Sequence, residues 1–299
     1  MKVAGVWLPM VTPFFEGEPD IGSYRSLIRH YMDQGISGLI PLGTTGESPC
    51  VSEKEFETLV AVAAEEVDGR IPLYVGLGGN NTSAVLHRLV TLEQYRVDGI
   101  LSVCPYYNRP SQEGLYNHFL KISEATGLNI MIYNIPHRTG INLLNETLLR
   151  LAEQENIVAV KDSCGDITQT LDLLQGKPEN FSVLAGEDRM FYTMLANGGE
   201  GGVMASAHLN TGSFLQVWRL MEENDHQKAL SVWRKTETLI PLLFEEPNPA
   251  PIKYVLEQKG LIRSCEVRAP LTGISEGLKE RLKNSFDLIR LHKNNHPGV

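Results

Sequence analysis

Lys161 closes an apolar run. Ile157-Val158-Ala159-Val160 reads as a buried strand and the next residue is a lysine, a side chain seldom buried unless paired. Three readings compete: the strand ends and the ammonium reaches solvent, the lysine pairs with neighbouring Asp162, or it is a reactive amine. A lysine amine condenses with a ketone to a Schiff base that acts as an electron sink. Only the neutral amine attacks, and at the ordinary pKa of about 10.4 roughly 1 molecule in 2,500 is neutral at pH 7. Desolvation that lowers the pKa by ~3 leaves roughly a quarter to a third neutral, at a cost of about 4 kcal/mol. Imine formation also moves protons to and from a departing hydroxyl, work that suits tyrosine and threonine side chains.

Three other segments offer such groups. PLGTTGESP (41–49) carries Thr44 and Thr45 in a Gly-flanked turn. Such a turn can aim backbone N–H groups at a carboxylate, or it is a plain loop. PYYNRPSQEG (105–114) offers Tyr106 and Tyr107, a residue type that more commonly packs than catalyses. YNIPHRTG (133–140) offers Tyr133, His137 and Arg138. Tyr133 alternates with Met131 on one strand face, so its plain reading is a core tyrosine. Arg138 can clamp a carboxylate through two N–H donors, or it is simply solvated. Other chemistries find no footing. There is no H-E-x-x-H or clustered His/Cys set for a metal, and no G-x-S-x-G elbow. GLGGNN (76–81) does not complete G-x-G-x-x-G, and no G-x-x-x-x-G-K-[ST] occurs. Neither a metal nor a dissociable cofactor is expected.

Short apolar runs recur along the chain, each followed by a segment of helical period. They are residues 5–14, 38–43, 72–78, 99–105, 129–136, 157–163, 181–188 and 201–207. Helical segments between them are amphipathic. Over Glu53–Val67, Phe56, Leu59, Val60 and Ala63 share a face, and Ser52 with Glu55 forms a capping box. Eight strands alternating with helices predict a (β/α)8 barrel, a TIM-barrel α/β fold, with an open doubly wound sheet as the alternative. In such a barrel the chemistry sits where strands end and the βα loops gather. Lys161 ends the sixth strand. Alternation puts Ile157, Ala159 and Lys161 on one face, leaves room for the lysine stem above small Ala159, and turns Asp162 away. From His226 the pattern is helical only, over His226–Phe244, Pro251–Gln258 and Glu276–Leu291. The chain therefore divides into a barrel, 1–225, and a small helical appendage, 226–299, whose last residues, HKNNHPGV, are expected to fray.

Whole-chain properties narrow the function. The 299 residues are 42% hydrophobic and 21% charged, ordinary values for a globular protein. A formal net charge of −9 gives no basic field for nucleic acid or anionic lipid. The four cysteines, Cys50, Cys104, Cys164 and Cys265, are scattered without a C-x-x-C pair, which suits reduced thiols in the cytoplasm. MKVAGVWLPMVTPFF is broken by Pro9 and Pro13 and reads as a first strand rather than a signal peptide. No apolar run approaches the roughly 18–20 residues of a membrane span.

GTTGE (43–47), YNIPHRTG (133–140) and VAVKDS (158–163) resemble the signature segments of the dihydrodipicolinate synthase / N-acetylneuraminate lyase family of class I aldolases. The resemblance covers essentially the whole chain. CPYYNRPSQEGLYNHF (104–119), Arg138 and EEPNPAPIKY (245–254) resemble the synthase branch. The resemblance implies that Lys161 forms the Schiff base with pyruvate, with no cofactor beyond that covalent imine. It implies that Tyr133 is the central acid/base, linked through Thr44 to the partner subunit's Tyr107. Thr45 would help hold the pyruvate carboxylate, Arg138 the carboxylate of L-aspartate 4-semialdehyde, and Gly186 and Val203 would offer backbone contacts near the lysine. The product would be 4-hydroxy-tetrahydrodipicolinate, on the route to diaminopimelate and lysine, made by a homotetramer built as a dimer of dimers. The alternatives are a sugar-acid lyase of the same family, for N-acetylneuraminate or a 2-keto-3-deoxy acid, and a non-catalytic sensor.

The chain departs from the pattern in places. His137 stands where many synthases have a small hydroxyl residue, and Asp162-Ser163 follow Lys161 in place of Glu-Ala. Lysine-inhibited members resemble one another in carrying His and Glu at positions matching Glu53 and Ala84, often with a further His matching Phe56. This chain keeps Ser48, Asn80 and Tyr106 of that allosteric site and lacks the carboxylate at 84, so weak or absent feedback by lysine is expected.

Overall fold

Short runs of Val, Ile and Leu that are apolar on both faces suit strands enclosed by other elements. The computed structural model, which describes residues 2–294 and only the backbone over 286–294, places every such run in one sheet. The strands are β1 (Gly5–Pro9), β2 (Gly38–Ile40), β3 (Tyr74–Gly76), β4 (Gly99–Val103), β5 (Asn129–Asn134), β6 (Ile157–Asp162), β7 (Ser182–Ala185) and β8 (Gly201–Val203). All pairings among them are parallel, in the order β2-β1-β8-β7-β6-β5-β4-β3. A parallel bridge from Leu39 to Leu73, with Gly76 N–H donating to Pro41 C=O at 2.8 Å, joins the two ends. The sheet is a closed barrel, not an open doubly wound sheet. Its strands are shorter than the apolar runs because those runs continue into the βα loops.

Trp7, Ile40, Tyr74, Leu101, Met131, Tyr133, Ala159, Leu184 and Val203 pack together as the barrel interior, the filled centre usual for this architecture. A second, larger layer lies between strands and helices and includes Val160, Val183 and Ile132. Ala159 therefore faces inward with Lys161, as alternation predicts. Ile157 does not: it belongs to the outer layer. The β5–β6 register slips here, with Ile130 opposite Ile157 but Met131 opposite Ala159. One extra residue resets a two-residue period.

The surrounding helices are α1 (Ile21–Gln34), α2 (Glu53–Val67), α3 (Thr82–Leu92), α4 (Gln112–Glu124), α5 (Asn145–Leu151), α6 (Ile167–Gly176), α7 (Phe191–Ala196) and α8 (Ala207–Glu222). The Ser52–Glu55 capping box opens α2, and the apolar face of that helix is buried as its period requires. After the barrel come α9 (His226–Thr236), α10 (Ala250–Gln258) and α11 (Glu276–Asn294). The segment 226–244 is not one regular helix. It tightens to a 3-10 turn over Glu237–Leu239 before resuming at Ile240–Leu243, because Pro241 has no N–H to give and its ring crowds the preceding turn. Trp233 of α9 packs on Phe191 and Phe214, with ring centroids 6.0 and 5.8 Å away. Of the tail expected to fray, residues 295–299 lie outside the described residues. Among the described residues no helix is long and apolar enough to cross a membrane.

Candidate active site

At the C-terminal ends of the strands a pocket opens, lined by residues from β2 and β5 through β8 and from the helical tail. Lys161 stands in its wall with Thr44, Thr45, Tyr133, Arg138, Gly186, Asp188, Val203 and Asn248. The side chain of Lys161 is 6% exposed, and among the described residues no carboxylate forms an ion pair with it. Its ammonium lies 3.9 Å from the centroid of the Tyr133 ring, over the face, where the negative quadrupole of the ring meets a cation. Asp162 points the other way. Its Oδ2 accepts from Thr170 Oγ1 at 2.6 Å and its Oδ1 from the Cys164 N–H at 3.0 Å. Two of the three readings of Lys161 are thus removed: it neither reaches bulk solvent nor pairs with Asp162.

Close packing at the base of the lysine makes Gly186 obligatory. A Cβ there would stand 2.2 Å from Ser163 Oγ and 3.0 Å from Lys161 Cγ. Beyond it come Glu187 and Asp188 on the pocket wall. The Asp188 carboxyl is buried, and that burial pushes its pKa up to about 6 against the opposing pull of the Ser206 N–H, 2.6 Å from Oδ1, and of the Lys161 charge. Neither acid was singled out from the sequence, although both lie at the end of the seventh apolar run, where the barrel rule directs attention.

The turn after β2 brings Thr44 and Thr45 into the pocket. It is compact: Gly46 N–H donates to Gly43 C=O and Glu47 N–H to Thr44 C=O, each at 3.1 Å. Thr12 Oγ1 donates to Gly46 C=O at 2.7 Å from the β1 side. Asn248 Nδ2 donates to Thr45 Oγ1 at 2.9 Å. Arg138 and His137 sit on the one-turn helix Pro136–Thr139 after β5, both exposed at the mouth of the pocket. Among the described residues no group of three or more His, Cys, Asp or Glu side chains is arranged to hold a metal ion.

Tyr107 is not brought to Lys161 within this chain. It does not line the pocket, has a φ of 72°, and is 89% exposed. Tyr106 is also outside the pocket. The loops bearing Tyr106 and Asn80 meet where Asn108 Nδ2 donates to Asn80 C=O at 2.8 Å, and Ser48 opens a 3-10 turn ahead of α2. At the head of α2, Glu53 takes a two-pronged contact from Arg88 of α3, with Nε 2.8 Å from Oε1. The Arg88 guanidinium also lies 5.6 Å from the Phe56 ring centroid. Nothing in the sequence reading singled out Arg88.

A buried, unpaired lysine on a barrel strand, beside a tyrosine and two threonines, can form and proton-manage an imine. The model of the dihydrodipicolinate synthetase family matches residues 2–288. The chain belongs to that family. Within the dihydrodipicolinate synthetase family it is similar to 4-hydroxy-tetrahydrodipicolinate synthase 2 of Clostridium acetobutylicum. The two are 52% identical over 286 residues, 96% of this chain and 100% of that protein. The solved dihydrodipicolinate synthase of Thermotoga maritima has a TM-score of 0.93 at 39% identity, covering 96% of this chain and 99% of that one. The Acinetobacter baumannii dihydrodipicolinate synthase, complexed with pyruvate, has a TM-score of 0.92 at 33% identity, covering 96% of this chain and 98% of that one.

Proposed function

We propose that the chain condenses pyruvate with L-aspartate 4-semialdehyde to give 4-hydroxy-tetrahydrodipicolinate. The observation that carries this is Lys161, buried without an ionic partner in a pocket wall beside Tyr133. A relative matched over its full length bears that activity in its name. Neutral Lys161 Nζ attacks C2 of pyruvate, the carbinolamine loses water, and the resulting iminium lets the methyl carbon give up a proton to become an enamine. That carbon then attacks the aldehyde. The amino group of the new chain closes on C2 and displaces Lys161, which restores the free amine.

The other roles follow from position. Tyr133, whose ring face lies against the amine, serves as proton donor and acceptor, Thr44 is its neighbour in the pocket, and Thr45 with the turn after β2 receives the pyruvate carboxylate. Arg138 and Glu187 at the mouth offer a cation and an anion to a substrate that carries both a carboxylate and an ammonium. A sugar acid would instead call for small polar groups. The Gly186 and Val203 backbones flank the amine, and no cofactor is needed because the imine is the electron sink. The exposure of Tyr107 supports a homotetramer, a dimer of dimers, in which the partner subunit's Tyr107 joins Thr44 and Tyr133. Four free cysteines support a cytoplasmic setting.

Borohydride reduction in the presence of pyruvate, followed by peptide mass spectrometry, tests the reading. A permanent adduct on Lys161, absent from Lys161→Ala, is the expected result. A folded sample that yields no adduct would overturn it. Coupled assays with aspartate semialdehyde and with sugar acids then separate the synthase from the lyase alternative.

A further inference from the structure

Two side chains from one short stretch of the helical tail reach the turn that carries Thr44 and Thr45. Asn248, just ahead of α10, donates through Nδ2 to Thr45 Oγ1. Lys253, within α10 and fully buried, pairs with the Glu47 carboxylate. That carboxylate also accepts the Arg268 N–H at 2.9 Å. The tail therefore grips the turn at both ends, and the grip at Thr45 lies inside the pocket, since Asn248 is one of its lining residues.

Hydrogen-bond arithmetic gives this contact a direction. A threonine hydroxyl has one hydrogen and two acceptor sites. The Asn248 amide claims an acceptor site on Thr45 Oγ1, which turns the hydroxyl hydrogen away from Asn248. Among the described residues that hydrogen has no acceptor, and the pocket is where one can stand. A bound anion would complete it. Asn248 Oδ1 is itself buried without a partner, so the amide is not held in place by other side chains of the described residues. Its only bond there is to Thr45.

We propose that Asn248 is a positioning residue for the keto-acid substrate: by holding Thr45 Oγ1 as an acceptor, it commits the Thr45 hydroxyl to donate to the substrate carboxylate. The proposal rests on the reading that pyruvate binds at Lys161. It assigns a direct part in substrate orientation to the segment that sequence alone treats as an appendage.

The test is steady-state kinetics with pyruvate for Asn248→Ala, Asn248→Asp, Thr45→Val and the Asn248→Ala/Thr45→Val pair, with borohydride trapping and thermal melts alongside. Losing one bond to a charged group raises KM for pyruvate about tenfold in Asn248→Ala while kcat moves much less. Asn248→Asp, which is isosteric and stays informative should the alanine variant not fold, raises KM further. Its carboxylate takes the hydroxyl hydrogen for itself and repels the substrate anion. In the Thr45→Val background Asn248→Ala adds nothing to KM, since the hydroxyl it directs is gone. Additive effects in the pair would overturn the proposal, as would an unchanged KM in both Asn248 variants while wild type still forms the Lys161 adduct. A wild type that forms no adduct would overturn the reading of the pocket as well.

Discussion

The ammonium of Lys161 rests on the face of the Tyr133 ring, 3.9 Å from its centroid, rather than against its hydroxyl. The ring and the hydroxyl thus do separable work. Tyr133→Phe keeps the face that receives the cation and removes the proton carrier. The expected outcome is a fold and melting temperature close to wild type, a Lys161 adduct that still forms with pyruvate, and a kcat lower by about 10²–10⁴. Stopped assays with borohydride trapping read both quantities on one sample. Both of these residues were legible in the sequence, since a lysine and a tyrosine ending adjacent apolar runs must share the mouth of a barrel. Asp188 and Asn248 were not. Asp188 matters through burial, which no residue type announces, and Asn248 through a contact spanning 203 positions. Ile157 was misread because IVAV is apolar throughout and hides the slipped register behind it.

Two buried histidines that stay neutral tie helices of the barrel to their neighbours. His208, at the start of α8, accepts the Val11 N–H at Nε2 over 3.3 Å, and its Nδ1 lies 2.8 Å from Ala205 C=O. That pair of contacts requires a ring with its hydrogen on Nδ1. Burial pushes the His208 pKa down to about 4, and does the same to His118 of α4, whose Nδ1 meets Thr82 Oγ1 of α3 at 2.9 Å. The unfolded chain takes up these protons near pH 6.5, the folded protein only near 4. Stability is therefore full above about 6.5 and falls as pH drops through the window down to about 4, by about 1.4 kcal/mol per pH unit for each fully titrating ring. Thermal melts across that window should decline in wild type and decline less steeply in His208→Gln, where His118 still titrates. A decline just as steep in the variant would count against this account of His208. Elements of this kind were visible in the sequence as apolar runs and caps, because barrel strands are buried on both faces. Their ends and the break at Pro241 were not, because loops here are also apolar and a helical period continues across the proline.

At the scale of the molecule, the turn that carries Thr44 and Thr45 is joined to the helical tail through the buried Lys253–Glu47 pair, and positions 53 and 84, which in lysine-inhibited members hold the effector, lie at the heads of α2 and α3. Free lysine would need a carboxylate there for one of its ammonium groups. Position 84 supplies none, being alanine, and the carboxylate at hand, Glu53, is already held by Arg88. Ala84 and Arg88 are four residues apart on α3 and share a face, so an incoming ammonium meets a fixed guanidinium of the same sign. Displacing it would break a two-pronged contact and a cation–π stack on Phe56 for no net gain. Initial rates with saturating substrates should stay level as lysine is raised into the millimolar range. Half-inhibition at micromolar lysine would show that Arg88 yields and that the region still signals. In Arg88→Ala, where Glu53 is released, some sensitivity to lysine is expected to appear, which would tie the expected lack of feedback to this one pair.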